Sequence, residues 1–188
     1  EPEIVPYIPK FMQQKEEMSG TARGSAYHRV LELLNLEKCD SAEAVQQQIE
    51  AFVRAGRLSK EYAEAIQMDK ILQFLQSDLA KRMRRSGQEN CLYREQPFVL
   101  GIPANRMEPD FPEEETILVQ GIIDVYFQEG QSLVVADYKT DKVDNGDELW
   151  KRYKMQLDYY AEALTQLVGL PVKEKIIYSF ALGKGISC

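Results

Sequence analysis

Two aspartates and a lysine within a short stretch are the residues best placed to do chemistry in this chain. The stretch runs from Val119 to Thr140, VQGIIDVYFQEGQSLVVADYKT. A β-branched, apolar run from Ile117 to Phe127 meets the polar turn Gln128-Glu129-Gly130-Gln131, and Leu133 to Lys139 returns, which predicts a β-hairpin. Alternation puts Ile117, Val119, Ile123, Val125 and Phe127 on one face and Gln120, Ile122, Asp124 and Tyr126 on the other. Leu133, Val135, Asp137 and Lys139 line up on the return strand. With a loop of two or four residues and Phe127 paired to Ser132, Asp124 falls opposite Val135 and diagonal to Asp137, their α-carbons roughly 7–8 Å apart. Carboxylates so placed can share a cation bound at about 2.0–2.6 Å from each oxygen.

Holding both charges there needs a reason. Two unit charges about 4 Å apart repel by roughly 4 kcal/mol at an effective dielectric of 20. The plain alternative is a surface salt bridge among Asp124, Asp137 and Lys139. Both aspartates, however, interrupt apolar strands, where an uncompensated carboxylate is costly. The pattern therefore favours a hard divalent cation.

The elements that must position this hairpin follow from the flanking sequence. Residues 1–20 carry three prolines before Lys10 and read as an extended lead-in. Ser19-Gly20-Thr21 offers an N-cap, and Tyr27, Val30, Leu31 and Leu34 recur at helical spacing, predicting a helix over 21–36. His28, the one histidine, rides on it, sharing a stripe with Gly24. Further helices are expected over 41–55 and 59–79, with breaks at Gly56 and Gly87. Leu92–Leu100 reads as a strand bearing Glu95 and Pro97, the proline pointing to an edge. A proline-bearing loop spans 101–115. After a polar loop, Asn145 or Asp147 caps a long helix whose buried stripe is Trp150, Tyr153, Leu157, Tyr160, Leu164 and Val168. Gly169 and Pro171 end it, and 172–182 closes as a strand. The fold class is α/β, a mixed sheet with a central antiparallel hairpin, flanking helices and an N-terminal helical segment. The division expected is one domain over 1–188, with lead-in 1–20, helical segment 21–87 and α/β core 88–188.

Composition narrows the classes. With 44% hydrophobic and 28% charged residues the chain is an ordinary globular one. No apolar run approaches the 18 or so residues needed to span a bilayer, so no membrane partner is expected. Three scattered cysteines make neither a disulfide framework nor a metal-cluster spacing, which points to a reducing, cytoplasmic setting. The opening Glu-Pro-Glu suggests a piece of something larger. A net charge of −7 argues against strong intrinsic affinity for nucleic acid. Two basic groups soften that: Lys81, Arg82, Arg84 and Arg85, then Lys151, Arg152 and Lys154. Either could contact phosphates or simply be a solvated helical face.

Gly24-x-x-x-His28, Gly121-x-x-Asp124, Asp137-Tyr138-Lys139-Thr140 and Gln156-x-x-x-Tyr160 occur in that order. Together they resemble the RecB-family nuclease domains of the PD-(D/E)XK, or restriction-endonuclease-like, superfamily. The likeness spans essentially the whole chain, and RGSAYHRVLELLNL is most similar to the C-terminal nuclease domains of the AddA helicase–nuclease subunits. The resemblance implies a restriction-endonuclease-like fold and a DNA exonuclease of a bacterial double-strand-break repair machine. Mg²⁺ or Mn²⁺ would be held by His28, Asp124, Asp137 and the backbone carbonyl of Tyr138. Lys139 would orient the attacking water, and Gln156 and Tyr160 would contact DNA or order that water. Glu95 would be a supporting group behind the ligands. The implied partners are DNA, single-stranded or unwound, the helicase portion of the same chain and a second nuclease subunit. The cysteines for an iron–sulfur cluster, found in some relatives, are missing, so no cluster is expected. Two other readings stand beside this one: a catalytically silent DNA-binding or scaffold module on the same fold, and a hydrolase of another phosphoester. Intact Asp124, Asp137 and Lys139 weigh against the silent module.

Overall fold

The computed structural model describes residues 22–106 and 109–187. The expected lead-in and the Ser19–Thr21 cap lie outside the described residues. The first half is helical: α1 (Ala22–Leu33), a 3₁₀ turn (Leu36–Lys38), α2 (Ala42–Arg54), α3 (Lys60–Ala65), α4 (Met68–Gln76) and α5 (Asp78–Gln88). Ser41, Ser59 and Ser77 each accept a hydrogen bond from the backbone N–H three residues on, satisfying a donor left open by the first helical turn. The single helix expected over 59–79 is instead broken twice. Ile66 is extended (ψ 136°) and Ser77 is extended (ψ 158°), so the apolar periodicity continues across two bends that it does not reveal.

The second half is a five-stranded sheet in the order β1-β2-β3-β4-β5: β1 (Leu92–Pro103), β2 (Thr116–Glu129), β3 (Ser132–Lys139), β4 (Val172–Ser179) and β5 (Lys184–Ser187). Between β3 and β4 runs α6 (Gly146–Val168), capped by Asn145 and ended by Gly169 at φ 78°. That crossover makes β3 and β4 parallel, while every other neighbouring pair is antiparallel. β1 is an edge strand, which explains how it accommodates Pro97. It extends three residues past its expected end and is followed by a short 3₁₀ turn, Ala104–Arg106. β5 has no counterpart in the sequence reading: its four residues show no alternation long enough to recognise.

The sheet separates two cores. On one face Tyr27, Leu31, Phe74 and Met83 of the helical segment pack on Val125, Phe127, Ala136, Tyr138 and Tyr178. On the other, Leu149, Leu157, Tyr160 and Leu164 of α6 pack on Ile123, Tyr126, Val135 and Ile177. This corrects the face expected for β2. Ile123 belongs to the α6 core but Val125 and Phe127 to the opposite one, so alternation breaks at Asp124. Five consecutive residues, Ile123 to Phe127, are buried as a result. The neighbouring strand breaks at the same level, where Glu95 adopts the left-handed region at φ 49°, rare for a residue with a side chain. The β1–β2 pairing runs from Arg94↔Val125 to Gln96↔Ile123 and leaves Glu95 facing Asp124 across the break.

Two members of the first basic group, Arg82 and Arg84, are hydrogen-bonded within the molecule. Arg82 donates to both carboxylate oxygens of Glu129 (2.8 and 3.0 Å) and to Glu174 (2.6 Å), and Arg84 donates to the carbonyl of Leu75 (2.8 Å). Arg82 therefore clamps the hairpin turn to the start of β4, at the opposite end of β3 from Lys139. Its guanidinium holds the Glu129 carboxyl down at about 2, from 4.5. A carboxyl depressed on folding contributes stability above its unfolded value, and that contribution is lost as pH falls through the folded one. Arg82→Ala is expected to cost about 1.5–3 kcal/mol near neutral pH, from charge-assisted hydrogen bonds. Thermal melts of the two proteins should converge between pH 4.5 and about 2. A variant that loses DNA affinity but no stability would return Arg82 to the phosphate-binding role.

Candidate active site

The hairpin closes on a loop of two residues, Gly130 and Gln131. Glu129 pairs with Ser132 and Phe127 with Val134, a register two residues from the Phe127–Ser132 pairing predicted above. A two-residue slip keeps every side chain on its face. One step past the last ladder pair, Val125↔Ala136, Asp124 comes to lie directly across from Asp137. Here the strands part, and the backbone N–H of Tyr138 donates to Asp124 Oδ2 (2.9 Å) in place of a ladder bond. Asp124 is 2% exposed and Asp137 0%.

Each carboxylate has its own surroundings. Asp124 Oδ1 lies 3.2 Å from His28 Nδ1, brought in from α1. Donor atoms of His28, Glu95 and Asp124 all lie within 4.8 Å of one another. Among the described residues Asp137 is not in this group. It turns to Lys139, whose Nζ is 2.6 Å from Asp137 Oδ2. The ammonium also donates to Gln156 Oε1 (3.0 Å), and Gln156 Nε2 donates to the Tyr160 hydroxyl (2.9 Å). Beneath it the Tyr153 ring centroid is 3.9 Å away, a cation–π contact in a dry setting. Burial, then the hydrogen bond to Asp141, pushes the Tyr153 phenol well above its ordinary range. Tyr138 points its side chain into the opposite core, as expected, and its hydroxyl meets Met83 Sδ at 3.8 Å.

The structure thus brings His28, Asp124, Asp137, Lys139, Gln156 and Tyr160 to one place. Gln156 is 1% exposed, which removes the solvent-facing alternative for it. Glu95, placed behind the ligands by the sequence reading, stands in the His28–Asp124 cluster itself. The signal for it is its position in the strand preceding the hairpin, which becomes informative only once register puts it opposite Asp124. Tyr153 has a role beyond the apolar stripe to which its spacing assigns it. It lies three residues before Gln156 and seven before Tyr160, hence on the same helical face.

The family model described as the PD-(D/E)XK nuclease superfamily matches residues 6–184. The chain belongs to this superfamily. The A subunit of an ATP-dependent helicase/nuclease from Lachnoclostridium phytofermentans is 35% identical to this PD-(D/E)XK domain over 97% of the chain. Proteins of the same description from Clostridium botulinum (strain 657 / Type Ba4) and Clostridium novyi are 37% and 36% identical over 93% and 92% of it. The chain spans only 14–16% of the length of these relatives. Among solved structures, SSO0001 covers 92% of this chain and 76% of its own, at 13% identity and a TM-score of 0.41.

The residues of this PD-(D/E)XK site fit a divalent cation. Glu95 and Asp124 supply hard oxygens and His28 an imidazole, a donor set suited to Mg²⁺ or Mn²⁺. Packed this closely, with Asp124 buried, the carboxylates repel unless a cation offsets them. The second basic group lies on the outer face of α6. Arg152 is paired with Asp141 (3.0 Å) and Glu148 (2.9 Å), Lys154 with Asp158 (2.6 Å), and Lys151 is exposed. No helix among the described residues is long and apolar enough to cross a membrane.

Proposed function

We propose that this domain hydrolyses DNA phosphodiesters with a divalent cation, as the nuclease part of a helicase–nuclease. The observation that carries the reading is the meeting of two buried aspartates, one across from the other, with a buried lysine held between an aspartate and a glutamine. Two relatives named as A subunits of ATP-dependent helicase/nucleases, similar over nearly the whole chain, support the setting. That setting also supports a bacterial cytoplasmic location, a helicase portion in the same chain and a second nuclease subunit.

His28, Glu95 and Asp124 would hold Mg²⁺ or Mn²⁺, and the family likeness adds Asp137 and the Tyr138 carbonyl as further ligands. The bound ion would polarise a phosphoryl oxygen and favour ionisation of a nearby water. The chain's own residues then do three things. Tyr138 N–H and His28 fix the Asp124 carboxylate, so the donor set needs little reorganisation. Lys139, immobilised by Asp137, Gln156 and the Tyr153 ring, directs the water and offsets charge as it builds on the phosphoryl oxygens. Gln156 and Tyr160 set where that ammonium sits. Overall the water oxygen bonds to phosphorus, the bond from phosphorus to the leaving oxygen breaks, and that oxygen takes up a proton. Arg85, Lys151, Arg152 and Lys154 remain the candidates for contact with the phosphate backbone.

Labelled single- and double-stranded DNA incubated with Mg²⁺ or Mn²⁺ tests this, comparing the wild-type domain with Asp137→Ala. Equal cleavage by both would remove the reading; cleavage by neither would favour the silent module. A finer prediction concerns the relay behind Lys139. Gln156→Ala should lower cleavage about 10–100-fold, the usual cost of losing a group that orients an essential one. Tyr160→Phe removes one neutral hydrogen bond worth about 1 kcal/mol and should cost only about 5-fold. Equal effects in single-turnover rates would overturn this grading of the two residues.

A further inference from the structure

We infer that Tyr93 is a stacking platform for a nucleobase of single-stranded DNA entering the site, an inference that rests on the nuclease reading and adds a substrate contact to it. Tyr93 is 43% exposed, yet it is not a loose surface ring. It stacks on Tyr126 (centroids 4.8 Å, planes 14° apart), and Tyr126 is 4% exposed within the α6-side core. The backbone beside it is anchored as well. Arg94 donates to the carbonyls of Leu31, Glu32 and Leu34 at the end of α1 (3.2, 3.1 and 2.6 Å), and Glu95 follows in its left-handed conformation.

Position ties this ring to the chemistry. Tyr93 pairs with Tyr126, and Tyr126 with Val135. Asp137 follows two residues on along β3, on the face Val135 shares, so the tyrosine row and the aspartate row are adjacent, roughly 7 Å apart along the strands. Charge makes the case independently. The domain carries a net charge of −7, and Arg82 and Arg106 are already paired with carboxylates. Phosphate contacts alone therefore offer a strand little affinity. Stacking on an exposed aromatic ring is indifferent to charge and to sequence, and contributes about 1–3 kcal/mol per base.

The test is the affinity of the domain, in EDTA, for a fluorescein-labelled dT oligonucleotide, read by anisotropy. Tyr93→Ala should weaken binding about 5- to 150-fold and Tyr93→Phe should leave it within about twofold, as 1–3 kcal/mol per stacked base requires. An oligonucleotide of abasic units should bind the wild type about as weakly as dT binds Tyr93→Ala, a result that a merely structural role for the ring would not give. Unchanged dT affinity in Tyr93→Ala overturns the inference, as does a wild type that does not prefer dT to the abasic strand. Failure of the nuclease reading shows up separately, as metal-dependent cleavage that persists in Asp137→Ala.

Discussion

Asp137→Asn is expected to lower the rate of DNA cleavage by about 10²–10³-fold, the range for removing one preorganised charge from an active site. The amide keeps the size of the carboxylate and an acceptor for Lys139, so the change is in charge. Lys139→Met should abolish cleavage, and, like Asp137→Asn, it leaves one buried charge without its partner. Asp137 is wholly buried against the ammonium at 2.6 Å. Removing one partner of a buried ion pair leaves the other charge uncompensated, at about 3–5 kcal/mol. Lys139→Met should therefore be much less stable to urea than the wild type. The double variant Asp137→Asn/Lys139→Met should recover most of that stability and none of the activity. Such coupling is what a double-mutant cycle measures for residues in contact. A double variant as unstable as Lys139→Met alone would mean that packing around the lysine stem, and not the pair, governs the loss.

Divalent cations should stabilise the domain. At a concentration one hundred times the dissociation constant, a ligand bound only by the folded state adds about 2.7 kcal/mol. For a domain of this size that raises the melting temperature by about 5–11 °C. Asp124→Asn, Glu95→Gln and His28→Ala should each erase most of the Mg²⁺ or Mn²⁺ response, because their donor atoms form one cluster within 4.8 Å. In EDTA the carboxylate variants should melt no lower than the wild type. Each removes a negative charge from a crowded pair, and the asparagine at 124 still offers Tyr138 N–H an acceptor. Differential scanning calorimetry with and without metal separates these outcomes. An intact metal response in Glu95→Gln would return that residue to a supporting position behind the ligands.

The motif residues are legible in the sequence because their spacing is local. Asp137, Tyr138 and Lys139 alternate along one strand, and Gln156 and Tyr160 lie one helical turn apart, so the faces they share follow from backbone periods alone. The long helix is legible through its ends, Asn145 and Gly169, and its apolar stripe. What stays hidden depends on register and backbone conformation. The turn can close in more than one way, and the sequence reading sets Asp124 two residues from its true partner. Nothing in Arg94-Glu95-Gln96 announces a left-handed residue, so the break level with the one that splits β2 between two cores is invisible there. Basic clusters mislead for a related reason. Arg82 and Arg84 are close in sequence to Lys81 and Arg85, but acceptors distant in the chain, Glu129 and Glu174 for Arg82, decide which charges are spent internally.

The amide of Tyr138 joins the two halves of the molecule. Its N–H ends on an aspartate oxygen whose neighbour faces an imidazole from the helical layer, while the next residue along reaches into the layer beneath α6. Loosening either layer alone breaks the arrangement. That single proton should therefore exchange with deuterium only when the whole domain opens, and its protection is a direct report of whether an isolated, truncated or redesigned version has assembled both sides of its catalytic gap.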